Sequence, residues 1–256
     1  MINSNQTALL ELVKCSLFGT APDFPADTDW GEVYKEASSQ TVVALTKVAV
    51  PESAAGLWEE AASQSVAHYM RSMYEQTNLI KLLTDNGIPL VIIKGSAAAV
   101  YYPKPQLRTM GDVDFLVPEE YFDAARELLD GNGYAFVGDQ DGREYDYQKG
   151  GVLFELHRRY SDKEYDIEQM IIGGMENAVV RSLNGQSFPM LPEYVNGLVL
   201  LDHIRHHLHC IGMRQIIDWM MFAQCALSDE NYAAHFLPLV KDSGLVTFCE
   251  TVTKMC

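Results

Sequence analysis

The sequence lacks any long uninterrupted apolar run, although 48% of its 256 residues are hydrophobic. No stretch approaches the roughly 18 uncharged apolar residues that a membrane-spanning helix needs. The N-terminus lacks a basic start followed by an apolar block, and its apolar residues recur at helical spacing. These absences predict a soluble protein without a signal peptide and without a membrane partner.

Cysteine is also scarce, with five residues dispersed along the chain and no Cys-x-x-Cys pair. An odd number of scattered cysteines is not the pattern of a disulfide-stabilised secreted domain. We therefore expect reduced thiols and a cytoplasmic location.

Basic residues are few: Lys and Arg together number 19 against 35 Asp and Glu, which gives a net charge of −16. A protein that binds long duplex DNA needs a cationic surface that displaces counterions from the phosphates. The overall charge therefore disfavours long nucleic acids and anionic membranes as partners. A local site could still hold a nucleotide, because a bound metal ion supplies positive charge there.

Three regions of the chain differ in their patterning. Residues 1–86 and residues 161–256 carry apolar residues at helical spacing, whereas residues 87–160 carry short apolar runs bounded by glycine and proline. We predict an N-terminal helical region, a small mixed α/β core and a C-terminal helical region with these bounds. The predicted fold class is α+β, with a small mixed β-sheet core flanked by helical segments.

The strands of this core are predicted from β-branched and alternating segments, and a Gly-Gly turn within the last segment indicates a hairpin. They are expected at residues 88–94, 111–117, 134–137 and 145–158. Downstream, the segment 192–226 predicts two helices that are interrupted near Gly212.

The most informative segment is Gly111–Val117, in which two aspartates alternate with apolar residues. On a strand, the apolar residues would share one face, and Asp112 and Asp114 would share the other, about 7 Å apart. Two like charges on an apolar strand repel each other and are poorly solvated. A hard cation, Mg²⁺ or Mn²⁺, would remove that cost. The alternative for an isolated Asp-x-Asp is a solvated turn.

A second alternating segment, Val152–His157, places Glu155 and His157 on one face and apolar residues on the other. An unpaired glutamate is costly to bury. Glu155 is therefore either a third metal ligand or general base beside the two aspartates, or a solvated residue of an edge strand. His157 either contacts substrate or is an ordinary hydrogen-bonding histidine.

The turn after the first predicted strand reads Lys94-Gly95-Ser96. A Gly-Ser turn before a helix can hold phosphate with its backbone N–H groups and a hydroxyl, or it can serve the turn conformation alone. It is not a P-loop, because the spacing and the terminal Lys-Ser/Thr are missing. Arg108, just before the aspartate strand, either neutralises a triphosphate or lies on the surface.

Four of the seven histidines lie between residues 202 and 209, in a predicted helix. His203 and His207 are four residues apart, a spacing that can chelate zinc. Alternatively, they belong to a polar helix stripe that lines a cleft and contacts substrate. Arg214 and Asp218 have the same spacing and either pair on the helix surface or face that cleft.

The Gly-Ser turn, the Asp-x-Asp strand and the later carboxylate together resemble the nucleotidyltransferase superfamily with a DNA polymerase β-like catalytic fold. The resemblance covers residues 88–160. The finer resemblance is to the bacterial family of uncharacterised nucleotidyltransferases, and it is carried by Ile93-Lys94-Gly95, Tyr102-Pro103 through Arg108, Gly111–Val117 and Phe154-Glu155-Leu156-His157.

The resemblance implies transfer of a nucleoside monophosphate from a nucleoside triphosphate to an unknown hydroxyl acceptor, which is a small molecule, a sugar or a protein. Asp112, Asp114 and Glu155 would hold the catalytic metal. The residues that would bind the nucleotide are Lys94, Gly95, Ser96 and Arg108. Two alternatives stay open: a catalytically inactive nucleotide- or partner-binding module of the same fold, and a zinc-dependent hydrolase that uses the histidine-rich helix.

Overall fold

The helices of the protein pack on both sides of one central sheet. A computed structural model describes residues 2–160 and 167–256. The α-helices in these ranges are α1 (Ser4–Phe18), α2 (Trp30–Ser39), α3 (Val43–Thr46), α4 (Ala55–Asp85), α5 (Gly95–Ala99), α6 (Phe122–Gly131), α7 (Ile167–Glu176), α8 (Glu193–His206), α9 (Met213–Ala226), α10 (Asp229–Asn231), α11 (Leu237–Asp242) and α12 (Val246–Met255). Short 3-10 turns lie at Lys47–Ala49, Pro105–Leu107 and Glu119–Tyr121, and a π turn lies at Tyr232–Phe236.

The described strands form one mixed, seven-stranded sheet. They are β1 (Val91–Ile93), β2 (Val113–Leu116), β3 (Ala135–Gln140), β4 (Glu144–Lys149), β5 (Val152–His157), β6 (Val179–Leu183) and β7 (Gln186–Met190). Their order across the sheet is β3-β4-β5-β2-β1-β7-β6. β2 pairs with β5 in parallel and with β1 in antiparallel fashion, and β1 pairs with β7 in parallel. The expected α+β fold with a mixed sheet is confirmed.

Alternation along the central strands separates two apolar cores. Ile92, Phe115 and Phe154 belong to the core that also contains buried residues of α4 and α6. Val91 and Leu116, on the opposite face, belong to the core built with the N-terminal and C-terminal helices. Phe115 of β2 and Phe154 of β5 therefore share one face, as the alternation predicts, and Leu116 of β2 lies on the other.

Helices α8 and α9 pack unusually closely because of one glycine. A Cβ added to Gly197 of α8 would lie 2.0 Å from Cζ of the buried Phe222 of α9. This contact fixes the position of α8, whose C-terminal end carries His203. The two helices correspond to those predicted within residues 192–226.

The hairpin formed by β6 and β7 is a feature that the helical interpretation of residues 161–256 missed. Its turn is Asn184-Gly185, and both residues have positive φ, +50° and +80°. Asn-Gly at such positions is the usual two-residue hairpin turn. The division of the chain at residues 86 and 160 stays a prediction, and of the predicted C-terminal region residues 161–166 lie outside the described residues.

The long helix α4 is 31 residues, but it is amphipathic and carries charged residues along its length. Among the described residues, no helix combines the length and the apolar character that crossing a membrane requires. The described part of the chain also keeps its cysteines unpaired.

Candidate active site

Three carboxylates predicted from the sequence come together at the centre of the sheet. Asp114 of β2 lies directly opposite Glu155 of β5 in the parallel register. Asp112 immediately precedes β2, and its side chain shares a hydrogen bond with Glu155. All three line one cavity of about 290 Å³. The alternation that placed these acids on the polar faces of their strands is therefore confirmed.

Asp114 is the buried member of the group, with 1% of its surface exposed. Its Oδ1 accepts a hydrogen bond from Lys94 Nζ at 2.5 Å and lies 2.9 Å from His157 Nε2. Burial disfavours the charge, yet the Lys94 ammonium and the His157 hydrogen bond hold the pKa of Asp114 well below its usual range. Asp114 therefore stays ionised inside the protein.

Glu155 has the opposite electrostatic environment. Burial, followed by the charges of Asp114 and Asp112, raises the pKa of Glu155 to about 11. At neutral pH this carboxyl group keeps a proton, which it shares with Asp112.

Two further carboxylates join this group from β4. Asp146 lies opposite Glu155 and Glu144 lies opposite His157 in the antiparallel pairing of β4 with β5. Burial raises the pKa of Asp146, and its Oδ1 is buried without a hydrogen-bond partner among the described residues. Neither residue was predicted from the sequence, although Glu144 and Asp146 alternate with tyrosines along their strand. Only the strand register reveals that they face Glu155.

The chemistry of these donors fits a hard divalent cation. Ligand atoms of Asp114, Glu155 and His157 lie within 4.8 Å of one another, and the same is true of Glu144, Asp146 and Glu155. Carboxylate oxygens are the preferred ligands of Mg²⁺ and Mn²⁺. Burial and, after it, the neighbouring acids raise the pKa of Glu155, and a divalent cation would relieve the repulsion between these acids.

The Lys94-Gly95-Ser96 turn lies beside the carboxylates, but its three residues have different positions. Lys94 adopts a positive φ of +51°, and its side chain is directed to Asp114. Gly95 lines the cavity, and a Cβ there would lie 3.4 Å from the carbonyl oxygen of Asp112. The Ser96 hydroxyl is fully buried and donates to Gln76 at 2.7 Å. It is therefore engaged away from the cavity.

Arg108 is not on the surface, which was one of the two positions that the sequence allowed for it. It is 4% exposed and binds Asp218 through two hydrogen bonds, Nε to Oδ1 at 2.8 Å and Nη2 to Oδ2 at 2.7 Å. The Tyr102 hydroxyl donates to the same carboxylate at 2.7 Å. Arg108 nevertheless lines the carboxylate-bearing cavity, because the ion pair holds its guanidinium at the cavity wall.

The proposed surface pair of Arg214 with Asp218 is wrong, since Asp218 is buried and pairs with Arg108. Arg214 lines the same cavity as the carboxylates, as the second interpretation of this spacing predicted. Its Nε is buried without a hydrogen-bond partner among the described residues. Burial and the neighbouring Arg108 charge lower the pKa of Arg214. No local pattern predicted that its Nε would be buried without a partner in the described part of the chain.

The histidines of α8 lie across the cavity from the sheet. His203 and His207 line the carboxylate-bearing cavity. Their rings pack edge to face, with 4.8 Å between the ring centroids. Burial lowers the pKa of His203 to about 3, so its imidazole is neutral. In residues 2–160 and 167–256, no group of three possible metal ligands includes either histidine. The zinc-hydrolase alternative therefore gains no support.

A second cavity of about 390 Å³ adjoins the first. We call the first the carboxylate cavity and the second the histidine cavity. They share four lining residues, Lys94, Glu144, His203 and His207. The other residues that line the histidine cavity are Arg143, His157, Arg159, Tyr160 and His206. The two cavities thus meet at Lys94 and Glu144, next to the acids of β2 and β5, because Lys94 binds Asp114.

Comparison with solved structures gives distant likenesses. The antibiotic-resistance factor ANT(2'')-Ia has a TM-score of 0.46 and 13% identity over 70% of this chain and 98% of that chain. An antigenic nucleotidyltransferase-like protein from Paracoccidioides brasiliensis has a TM-score of 0.42 and 16% identity over 70% and 92%. The Megavirus polyadenylate synthase has a TM-score of 0.39 and 14% identity over 83% and 39%. With TM-scores this low, none of them decides the assignment.

Comparison at the level of sequence decides it. No curated protein matches the chain. The sequence model of a family described as "Uncharacterised nucleotidyltransferase" matches residues 26–256. This match spans most of the chain, including the strands and helices that build both cavities, and it confirms the resemblance drawn from the Asp-x-Asp and Gly-Ser segments. The chain belongs to the family of uncharacterised nucleotidyltransferases.

Proposed function

We propose that the protein transfers a nucleoside monophosphate from a nucleoside triphosphate to a hydroxyl group, with Mg²⁺ or Mn²⁺ held by Asp112, Asp114 and Glu155. One observation carries the proposal: Asp114 and Glu155 are directly opposed on parallel strands, with Asp112 in the same cavity. Three acids in such proximity can bind a divalent cation, and a nucleoside triphosphate brings phosphate oxygens that would complete its coordination.

The nucleotide phosphates are proposed to bind at the wall of the carboxylate cavity that carries Gly95, Arg108 and Arg214. Two buried guanidinium groups side by side repel each other, and a triphosphate would relieve that repulsion. The unpartnered Nε of Arg214 supports this assignment. Gly95 lets the backbone approach closely, and Ser96 would contribute through its backbone N–H because its hydroxyl is engaged by Gln76.

The acceptor oxygen is proposed to attack the α-phosphorus in line with the leaving group. A bond forms between that oxygen and phosphorus, and the bond from the α-phosphorus to the bridging oxygen breaks, so pyrophosphate leaves with the electron pair. Glu155 takes the acceptor proton. A bound divalent cation would supply positive charge for the phosphate and acceptor oxygens. Lys94 keeps Asp114 ionised and fixed in position.

The net charge of −16 favours a small-molecule, sugar or protein acceptor over a long nucleic acid. A cytoplasmic location in a bacterial cell is part of the same proposal. The alternative of a catalytically inactive binding module predicts that the nucleotide binds without being consumed.

Incubation with each nucleoside triphosphate, labelled in the α-phosphate, tests the proposal. The reaction contains Mg²⁺ and a cell extract as the source of acceptor, and both pyrophosphate release and labelled product are measured. We expect release that depends on metal and extract together, with removal of the metal by chelation as the control. Binding of a nucleotide with no release in any reaction would favour the inactive module.

Metal binding should depend steeply on pH because of Glu155. A carboxyl group whose pKa is raised to about 11 keeps its proton at neutral pH, so a metal ion must displace that proton. The apparent affinity for Mn²⁺ should therefore rise as pH rises, by about tenfold per unit between about pH 6 and 8. Titration followed by electron paramagnetic resonance measures the free Mn²⁺. In Glu155→Gln the affinity should be weaker and the slope lost, and a wild-type affinity without pH dependence would contradict the assignment.

A further inference from the structure

The histidine cavity is not used by the nucleotide in the proposed reaction. A transfer reaction needs two substrates that meet at the reacting atoms, and the two cavities meet at the carboxylates through Lys94 and Glu144. If the triphosphate lies along Gly95 and Arg214, the adjoining open space is the histidine cavity, where Nε2 of the lining residue His157 lies 3.7 Å from Glu155 Oε2. The acceptor must approach from there.

The charge of this cavity differs from that of the protein as a whole. Lys94, Arg143 and Arg159 line it, and Glu144 is the one carboxylate among the described residues that line it. The chain has 35 acidic residues and 19 Lys and Arg, so this cationic lining does not follow from composition. Arg143 and Arg159 are exposed, at the outer part of the cavity, and Lys94 is at the inner end beside Asp114.

The remaining walls are suited to a small polar molecule. The neutral imidazole of His203 offers one hydrogen-bond donor and one acceptor, as a hydroxyl group requires. The Tyr160 hydroxyl is engaged by the carbonyl oxygen of Val199 at 3.0 Å, so this residue presents its ring. A volume of about 390 Å³ is in the range of small-molecule sites.

We propose that the histidine cavity is the acceptor subsite and takes a small hydroxyl compound that carries a phosphate or carboxylate group. The anionic group binds between Arg143 and Arg159, and the hydroxyl points toward Glu155. This inference rests on the proposed nucleotidyl transfer, whose chemistry it leaves unchanged. The bond that forms still joins the acceptor oxygen to the α-phosphorus, and the proton still goes to Glu155.

Inorganic phosphate is the probe that tests the subsite. The full-length protein is loaded with Mn²⁺ and, separately, with the α,β-methylene analogue of each common nucleoside triphosphate, which cannot release pyrophosphate. Phosphate binding is then measured by phosphorus NMR, since bound Mn²⁺ broadens the signal of nearby phosphate. Analogue binding is measured independently by equilibrium dialysis. We expect phosphate to bind while the analogue stays bound.

Substitutions that reverse the charge of an arginine distinguish ligand binding in the histidine cavity from ligand binding in the carboxylate cavity. Arg159→Glu and Arg143→Glu should each weaken phosphate binding by about tenfold or more, because a charged hydrogen bond is lost and a repulsion is added. Neither change should alter analogue affinity by more than about twofold. Arg158→Glu is the matched control: this neighbouring arginine pairs with Glu119 at 2.7 Å and does not line the cavity, so phosphate binding should be retained.

The outcomes distinguish this inference from the proposed function. An analogue that binds while phosphate does not, or phosphate binding that Arg158→Glu weakens as much as Arg159→Glu, overturns the acceptor subsite alone. Loss of analogue binding in Arg159→Glu overturns it as well, because the cavity would then hold the triphosphate. Failure of every analogue to bind overturns the proposed function and this inference together.

Discussion

Replacement of Asp112 by Asn should lower pyrophosphate release by about a thousandfold or more, since several kcal/mol of charge stabilisation at the phosphate depends on the metal. The side chain of Asp112 lines the carboxylate cavity and shares a hydrogen bond with Glu155. Asparagine retains the size of the side chain and removes its negative charge. The rate of pyrophosphate release under saturating nucleotide and metal measures the effect.

The folded state should tolerate the same change. Asp112 forms no ion pair among the described residues, in contrast to Asp114, so Asp112→Asn should unfold within about 1 kcal/mol of the wild type. Asp130→Asn, an exposed change on α6, is the matched control and should keep full activity. Undiminished pyrophosphate release from Asp112→Asn would remove the carboxylates from the mechanism.

Replacement of Asp114 by Asn should cost about 3–5 kcal/mol of unfolding free energy, because it leaves the Lys94 ammonium buried without its partner. The side chains of Lys94 and Asp114 are 16% and 2% exposed, and Lys94 Nζ lies 2.5 Å from Asp114 Oδ1. The double variant Lys94→Met/Asp114→Asn should regain most of that loss, since neither charge is then uncompensated. Urea unfolding of the two single variants and the double variant gives the coupling energy.

An exposed ion pair provides the control for this comparison of single and double variants. Lys81 and Asp85 of α4 are 2.7 Å apart, but their side chains are 74% and 59% exposed. Lys81→Met should cost less than about 1 kcal/mol. If Asp114→Asn costs no more than that, the buried pair does not hold the site together. The double variant should remain inactive even when its stability returns, which separates the structural role of Lys94 from the proposed catalytic role of Asp114.

Alternation along strands predicted the central carboxylates because it is a local property. Side chains two residues apart share a face whatever the rest of the chain does, so Asp112 and Asp114 could be placed before the fold was known. The position of Glu155 beside them followed from the family resemblance, and the parallel register of β2 and β5 confirms it.

Contacts between distant segments could not be predicted in this way. Arg108 and Asp218 are 110 residues apart, and neither has a local pattern that identifies the other as its partner. The same holds for Glu144 and Asp146, whose position beside Glu155 depends on the register of the β4–β5 hairpin. The β6–β7 hairpin differs, because its Asn184-Gly185 turn was visible in the sequence. The residues around this turn have apolar spacing typical of helices, so helices were predicted there and the hairpin was not.

The parallel pairing of β1 with β7 limits how this enzyme can be divided. β1 leads into the turn that carries Lys94, and the strand on its far side is supplied by residues almost a hundred positions downstream. A fragment cut at residues 87 and 160 would leave the backbone N–H and C=O groups of β1 open to other molecules. Such an edge invites pairing between copies. The candidate active site therefore cannot be transferred as a fragment, because the residues after 160 complete the sheet on which it is built.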